Sequence, residues 1–346
     1  MRVLLPSEIR GNWATLLSAW NSDDSLDLGR VGAEIDALIR AGVDGIYSHG
    51  TAGEFHAQTE EEFDRVAACL AEKCETAGMP FQIGVSHMSA QVSRERLRRA
   101  VALAPGAVQV ILPDWFPVTE DEAVTFLDGM AEVASGIGLV LYNPPHAKRV
   151  WQPEAIGRLA RRVPALVGLK TAGGDDGWYA AMREHLGSLS VFVPGHLLAS
   201  GAARGAAGAY SNVACLNPTA AQRWTDLMKT DLPAALEIET RLRRFMSEHI
   251  VPFITEQQYC NAACDRLMAC IGGWADVGWR MRWPYRSIPA EEAARLRPVV
   301  REMIPVFSAA ADGVEAVPPR EGKPERPVSP GGPGATPAVV GEGNER

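Results

Sequence analysis

From Trp13 to Val213 short apolar runs alternate with longer segments whose apolar residues recur at helical spacing, the pattern of repeated strand–helix units on a parallel sheet. The runs are Trp13 to Leu17, Gly45 to Gly50, Phe81 to His87, Val108 to Pro113, Leu139 to Pro145, Leu166 to Lys170, Ser190 to Gly195 and Gly208 to Val213. Helices are expected between them, from about Asp27 to Ala41, from Thr59 to Ala77, from Ala90 to Leu103, after Thr119, from Pro153, from Trp178 to His185 and from Leu197 to Ala207. Thr59-Glu60-Glu61-Glu62 and Thr119-Glu120-Asp121-Glu122 are capping boxes, and Gly42 stops the first helix. Eight such units predict a (β/α)8 TIM barrel over residues 1–217 rather than an open doubly wound sheet. No G-x-G-x-x-G opens the first unit, which weighs against a dinucleotide fold.

Beyond Asn217 the segments from Thr219 to Cys270 and from Ala290 to Phe307 read as helical, so residues 218–311 form a C-terminal helical extension. From Asp312 to Arg346, 7 prolines and 7 glycines in 35 residues predict a disordered tail without chemistry of its own.

Composition narrows the partners. The net charge of -8 argues against nucleic acid or an anionic membrane surface, and no run approaches the roughly 18 apolar residues of a membrane span. The start of the chain is too short in apolar residues for a secretory signal, so a cytoplasmic protein is expected. Six cysteines in 346 residues make neither a disulfide framework nor a C-x-x-C pair, although Cys260 and Cys264 are spaced to share a helix face.

The candidate chemistry lies at the carboxyl ends of the expected strands, where a barrel places its site. Lys170 closes an apolar strand, and an ammonium short of water there loses its proton more easily and becomes a nucleophile toward a carbonyl. In isolation such a lysine more often extends its charge into solvent. Tyr142 ends the neighbouring strand, which brings a phenol to the amine, the pairing that imine chemistry needs for proton transfer. The turn Gly50-Thr51-Ala52-Gly53 suits a carboxylate held by backbone N–H groups. Trp115, His49 and His196 fall in or near strand-end loops and are candidates for touching a substrate.

Gly50-Thr51-Ala52-Gly53-Glu54, Tyr142-Asn143-Pro144-Pro145 and Gly168-Leu169-Lys170, in that order and register, resemble the dihydrodipicolinate synthase/N-acetylneuraminate lyase family over roughly Trp13 to Phe307. The likeness extends to Asp27 at the first helix and to Gly42-Val43-Asp44-Gly45 before the second strand. The resemblance implies a class I lyase or aldolase, independent of metal and of any cofactor, that forms a Schiff base between Lys170 and pyruvate or a related 2-oxo acid. It implies Tyr142 as the proton-transfer phenol, Thr51 as its hydroxyl partner, the amides of Thr51 and Ala52 as the carboxylate site, and Tyr210 beside the bound keto acid. It also implies a homotetramer or homodimer.

Departures from the family pattern bear on the second substrate. Ala52 stands where the synthases carry a second threonine and Ala147 where they carry an arginine, with Lys148 and Arg149 next door. Pro113-Asp114-Trp115-Phe116 offers no tyrosine after the fourth strand, and Thr171 follows the lysine where an acid often stands. The reading favoured by these differences is a related aldolase or hydratase-aldolase joining or releasing a 2-oxo acid and an aldehyde. A true 4-hydroxy-tetrahydrodipicolinate synthase is one alternative. The others are a metal-dependent barrel using its loop histidines with Glu54 or Asp175, and a non-catalytic keto-acid-binding protein.

Overall fold

The computed structural model describes residues 2–308. The expectation of a disordered tail from Asp312 onward lies outside them. Eight parallel strands close into a barrel in the order β1 (Gly11–Thr15), β2 (Gly45–Ser48), β3 (Phe81–Gly84), β4 (Ala107–Ile111), β5 (Leu139–Tyr142), β6 (Leu166–Lys170), β7 (Ser190–Pro194) and β8 (Gly208–Ser211), with β8 pairing β1. Between them run α1 (Leu28–Arg40), α2 (Glu60–Ala77), α3 (Ala90–Val101), α4 (Glu120–Ala134), α5 (Pro153–Arg162), α6 (Asp176–His185) and α7 (Leu198–Ala203). This is the TIM barrel expected from the alternation of short apolar and amphipathic segments.

Local chemistry explains where the elements start. The Thr59 and Thr119 side chains accept from the amides of Glu62 and Glu122, and both glutamates bond back to the cap, so both capping boxes form. Asp27 caps α1 by accepting from the amide of Arg30, and Asp175 caps α6 by accepting from the Trp178 amide, so that the helix starts at Asp176, two residues before Trp178. Most strands end earlier than expected. The first strand begins at Gly11 and ends at Thr15, which puts Leu16 and Leu17 in the loop above it. The eighth ends at Ser211, whose hydroxyl accepts from the Ala214 amide and starts helix α8 (Asn212–Leu216).

The C-terminal segment is helical as expected but broken into pieces. It comprises α9 (Pro218–Thr230), α10 (Leu232–Phe245), a π-turn at Met246–Ile250, α11 (Val251–Thr255), α12 (Asn261–Gly272), α13 (Ala290–Met303) and α14 (Pro305–Ser308). Asn217 and Asp231 cap α9 and α10, and Pro218 and Pro252 take first-turn positions, where a missing N–H costs nothing. α12 packs on α8 and α13, and so lies over the end of the barrel where the strands finish.

The barrel interior is filled by an aromatic layer. Trp13, Tyr47, Phe192 and Tyr210 are all buried, with ring centroids 6.4 Å apart for Trp13 and Phe192, 4.6 Å for Tyr47 and Tyr210 and 4.7 Å for Phe192 and Tyr210. Gly45 is required by this packing, because a Cβ there would sit 2.6 Å from the Trp13 ring. Leu4 and Ile9 close the opposite end. Among the described residues no helix is long and apolar enough to cross a membrane.

Candidate active site

β5 and β6 pair in a register that sets Tyr142 directly beside Lys170. The Lys170 ammonium lies 4.1 Å from the centroid of the Tyr142 ring, 5.0 Å from that of Tyr47 and 5.2 Å from that of Tyr210. Its Nζ also donates to the Tyr47 hydroxyl at 3.5 Å. Three aromatic faces favour a cation, but burial opposes it and dominates, bringing the amine down to about 8, while the negative charge of Asp265 acts the other way. A lysine at this value has a far larger neutral, nucleophilic fraction near neutral pH than an exposed one.

The phenols are held. Tyr210 donates to Gln82 across the barrel, and burial makes it a much weaker acid than a free phenol, so it stays protonated. Burial raises Tyr142 as well, opposed by a hydrogen bond with the Thr51 hydroxyl. The amides of Thr51 and Ala52 donate to no other described residue, while the carbonyls of Gly50 and Thr51 accept from Phe55 and Glu54 at 3.4 and 3.0 Å, closing the turn that presents those amides. Glycine is needed at both ends of the turn. A Cβ on Gly50 would meet the Tyr47 ring at 2.6 Å, and one on Gly53 the Leu16 carbonyl at 2.7 Å.

These groups border a cavity of about 260 Å³. Thr51, Ala52, Tyr142, Lys170, His196 and Tyr210 all line it, as do five polar residues not singled out in the sequence, Thr15, Tyr47, Asn212, Asn261 and Asp265. Its outer wall is apolar, built from Met246, Ile250 and Ile254 of the broken helix and Cys264 and Met268 of α12. The side chain of His196 is oriented by Asn212, whose Nδ2 lies 2.9 Å from the His196 ring Nδ1. Asp265, raised to about 7 chiefly by burial, makes no hydrogen bond or ion pair with another described residue.

The structure does not bring every candidate together. His49 is buried, with its backbone in the left-handed region at φ 55°, bonded through Nδ1 to the Ser48 hydroxyl at 2.7 Å and with its ring tilted against Phe63 at a centroid distance of 4.4 Å, and it does not line the cavity. Trp115 is 65% exposed beneath the Lys148 ammonium, 4.9 Å away, and also stands outside the cavity. Gly50 and Gly53 shape the turn without lining the cavity themselves. Among the described residues no group of three or more His, Cys, Asp or Glu is arranged to hold a metal ion.

Tyr47 was legible only as a core residue of its strand, because both faces of a barrel strand are buried. Asp265 did leave a signal: a charge inside the apolar stretch Ala262-Ala263-Cys264 and Leu267-Met268-Ala269 of one helix.

The chain is 24% identical over 179 residues to trans-o-hydroxybenzylidenepyruvate hydratase-aldolase of Sphingobium xenophagum, covering 49% of this chain and 54% of the relative. It is 30% identical over 172 residues to 4-hydroxy-tetrahydrodipicolinate synthase of an Exiguobacterium species, covering 49% and 58%. These matches span only about half the length of the curated relatives. Its fold is similar to that of a prophage protein of the dihydrodipicolinic acid synthase family from E. coli K12 solved in complex with pyruvate, with a TM-score of 0.75, 19% identity, and 85% of this chain and 98% of that one covered. Residues 8–302 match the model of the dihydrodipicolinate synthetase family, and the chain belongs to that family.

Proposed function

We propose that the protein is a class I aldolase or lyase that joins or releases a 2-oxo acid, pyruvate or a close relative, and an aldehyde through a Schiff base on Lys170. The observation that carries the reading is Lys170 itself, half-buried among three tyrosines at the strand ends and brought down to about 8 by desolvation. The neutral amine adds to the ketone carbon, and the carbinolamine loses its hydroxyl as water, protonated by a neighbouring phenol, to leave an iminium. Loss of a proton from the adjacent carbon gives the enamine. That carbon bonds to the aldehyde carbon, whose C=O pair moves to oxygen and takes up a proton while the nitrogen returns to iminium. Cleavage is the reverse.

Tyr142, backed by the Thr51 hydroxyl, is the phenol placed for these proton transfers. The amides of Thr51 and Ala52 receive the keto-acid carboxylate, and Tyr210 flanks it. His196, just after β7, also lines the cavity and is the group assigned to the aldehyde half. No cofactor is required by this chemistry. A homotetramer or homodimer belongs to the same proposal and is read by sedimentation.

Borohydride reduction with pyruvate, followed by intact-mass and peptide analysis, tests the reading. A pyruvate-sized adduct on Lys170 is the expected result. No adduct with pyruvate or other 2-oxo acids would overturn it.

A further inference from the structure

We infer that the second substrate is an uncharged aldehyde with an apolar body, and that Asp265 is the residue that excludes carboxylated aldehydes from this pocket. The inference rests on the Schiff-base reading above.

Three observations carry it. The first is cationic supply. Lys170 is the only Lys or Arg among the described residues lining the cavity, and in the proposed chemistry its nitrogen becomes part of the covalent intermediate. The two bases nearest in sequence to the Tyr142 loop point elsewhere: Lys148 donates to the Trp115 carbonyl at 2.6 Å and Arg149 to the Val118 carbonyl at 2.9 Å. The free amides of the Thr51 turn suffice for the carboxylate of the keto acid, which leaves no donor cation for a second one.

The second observation is the carboxyl of Asp265. It lines the cavity from α12 together with Lys170 of β6, Tyr47 of β2 and Tyr142 of β5, forms no ion pair or hydrogen bond with a described residue, and acts electrostatically on these three and on Cys215 of α8. A half-buried carboxyl that no described side chain pairs with faces the cavity, and toward an incoming carboxylate it is a built-in repulsion. The third is the wall around it. Met246, Ile250, Ile254, Cys264 and Met268 offer aliphatic and sulfur surface to whatever extends beyond the keto acid, and such surface rewards an alkyl or aryl group rather than a polyhydroxylated chain.

The test compares butanal with succinic semialdehyde, which match in chain length and differ by a terminal carboxylate, as acceptors with pyruvate. For the wild-type enzyme kcat/KM is expected to favour butanal by about tenfold or more, and Asp265→Asn is expected to shrink that ratio by about tenfold, mainly by admitting succinic semialdehyde. Wild-type preference for succinic semialdehyde, or a ratio unchanged in Asp265→Asn, would overturn the inference. Borohydride trapping with pyruvate, run on both proteins, separates the two readings. A Lys170 adduct with the wrong aldehyde ratio sinks this inference alone. No adduct in the wild type sinks the Schiff-base reading and this one with it.

Discussion

Arg266 donates to the Glu54 carboxylate at 2.5 Å with both side chains shut off from solvent, and this contact ties the turn that presents Thr51 to the helix that presents Asp265. Glu54 also accepts from the Trp20 indole at 3.0 Å and the Arg282 amide at 3.1 Å, and Arg266 donates to the carbonyls of Ser18 and Val277 at 2.6 and 2.9 Å. Two loops and a helix remote in sequence therefore share one buried charge pair.

Breaking that pair from one side should be far worse than removing both charges. Arg266→Met strands a buried carboxylate, and a loss of about 3–5 kcal/mol of stability is expected. Adding Glu54→Gln should recover part of it. Chemical denaturation of the two single variants and the double variant measures the coupling, and simple additivity would show that the pair does not link the segments.

The reactivity of Lys170 should follow pH with a midpoint near 8, where burial sets it, rather than near the value of an exposed lysine, about 10.4. The neutral amine attacks, so the rate of pyruvate adduct formation rises with pH through that midpoint. Asp265 favours the ammonium, so Asp265→Asn should move the midpoint down. Trapping rates over a pH series give both numbers, and an upward move would contradict the sign of the interaction.

Replacing the two central groups should separate binding from proton transfer. Lys170→Ala should abolish the adduct and turnover while leaving the circular dichroism spectrum intact. Tyr142→Phe keeps the ring 4.1 Å from the amine but loses the hydroxyl, and a fall in kcat of about 10²–10⁴-fold is expected, with trapping slowed rather than lost. Wild-type turnover by Tyr142→Phe would remove the phenol from the mechanism.

His49 should betray its burial in acid. Its imidazole is pushed down to about 3, mostly by loss of solvent and further by Arg96, so the folded protein keeps it neutral while the unfolded chain protonates near 6.5. Its contribution to stability is therefore complete above 6.5 and is lost as pH falls from there toward 3, at up to about 1.4 kcal/mol per pH unit. His49→Asn, which tolerates the left-handed backbone there, should unfold with a shallower acid dependence and with no change in KM for the keto acid.

The amino-acid sequence determined the fold class and half of the site. Strand and helix periods, the Thr59 and Thr119 capping boxes and the strand-end position of Lys170 are local signals, and local signals survive without knowledge of the neighbours. Tyr142 was legible because β5 and β6 are consecutive units and so neighbours in the barrel, whereas Thr51 was legible through the motif resemblance of its turn. Only the tertiary structure decided which strand residues face the barrel interior and which face the helices. Both sides are apolar, so Tyr47 and His49, two residues apart and both buried, could not be told apart as cavity-lining and core-packed. It alone decided that Trp115 projects outward, and it alone brought Asp265 to Lys170, 95 residues away in a chain of 346, because helix α12 crosses the strand ends by packing on α8 rather than by any feature of its own sequence.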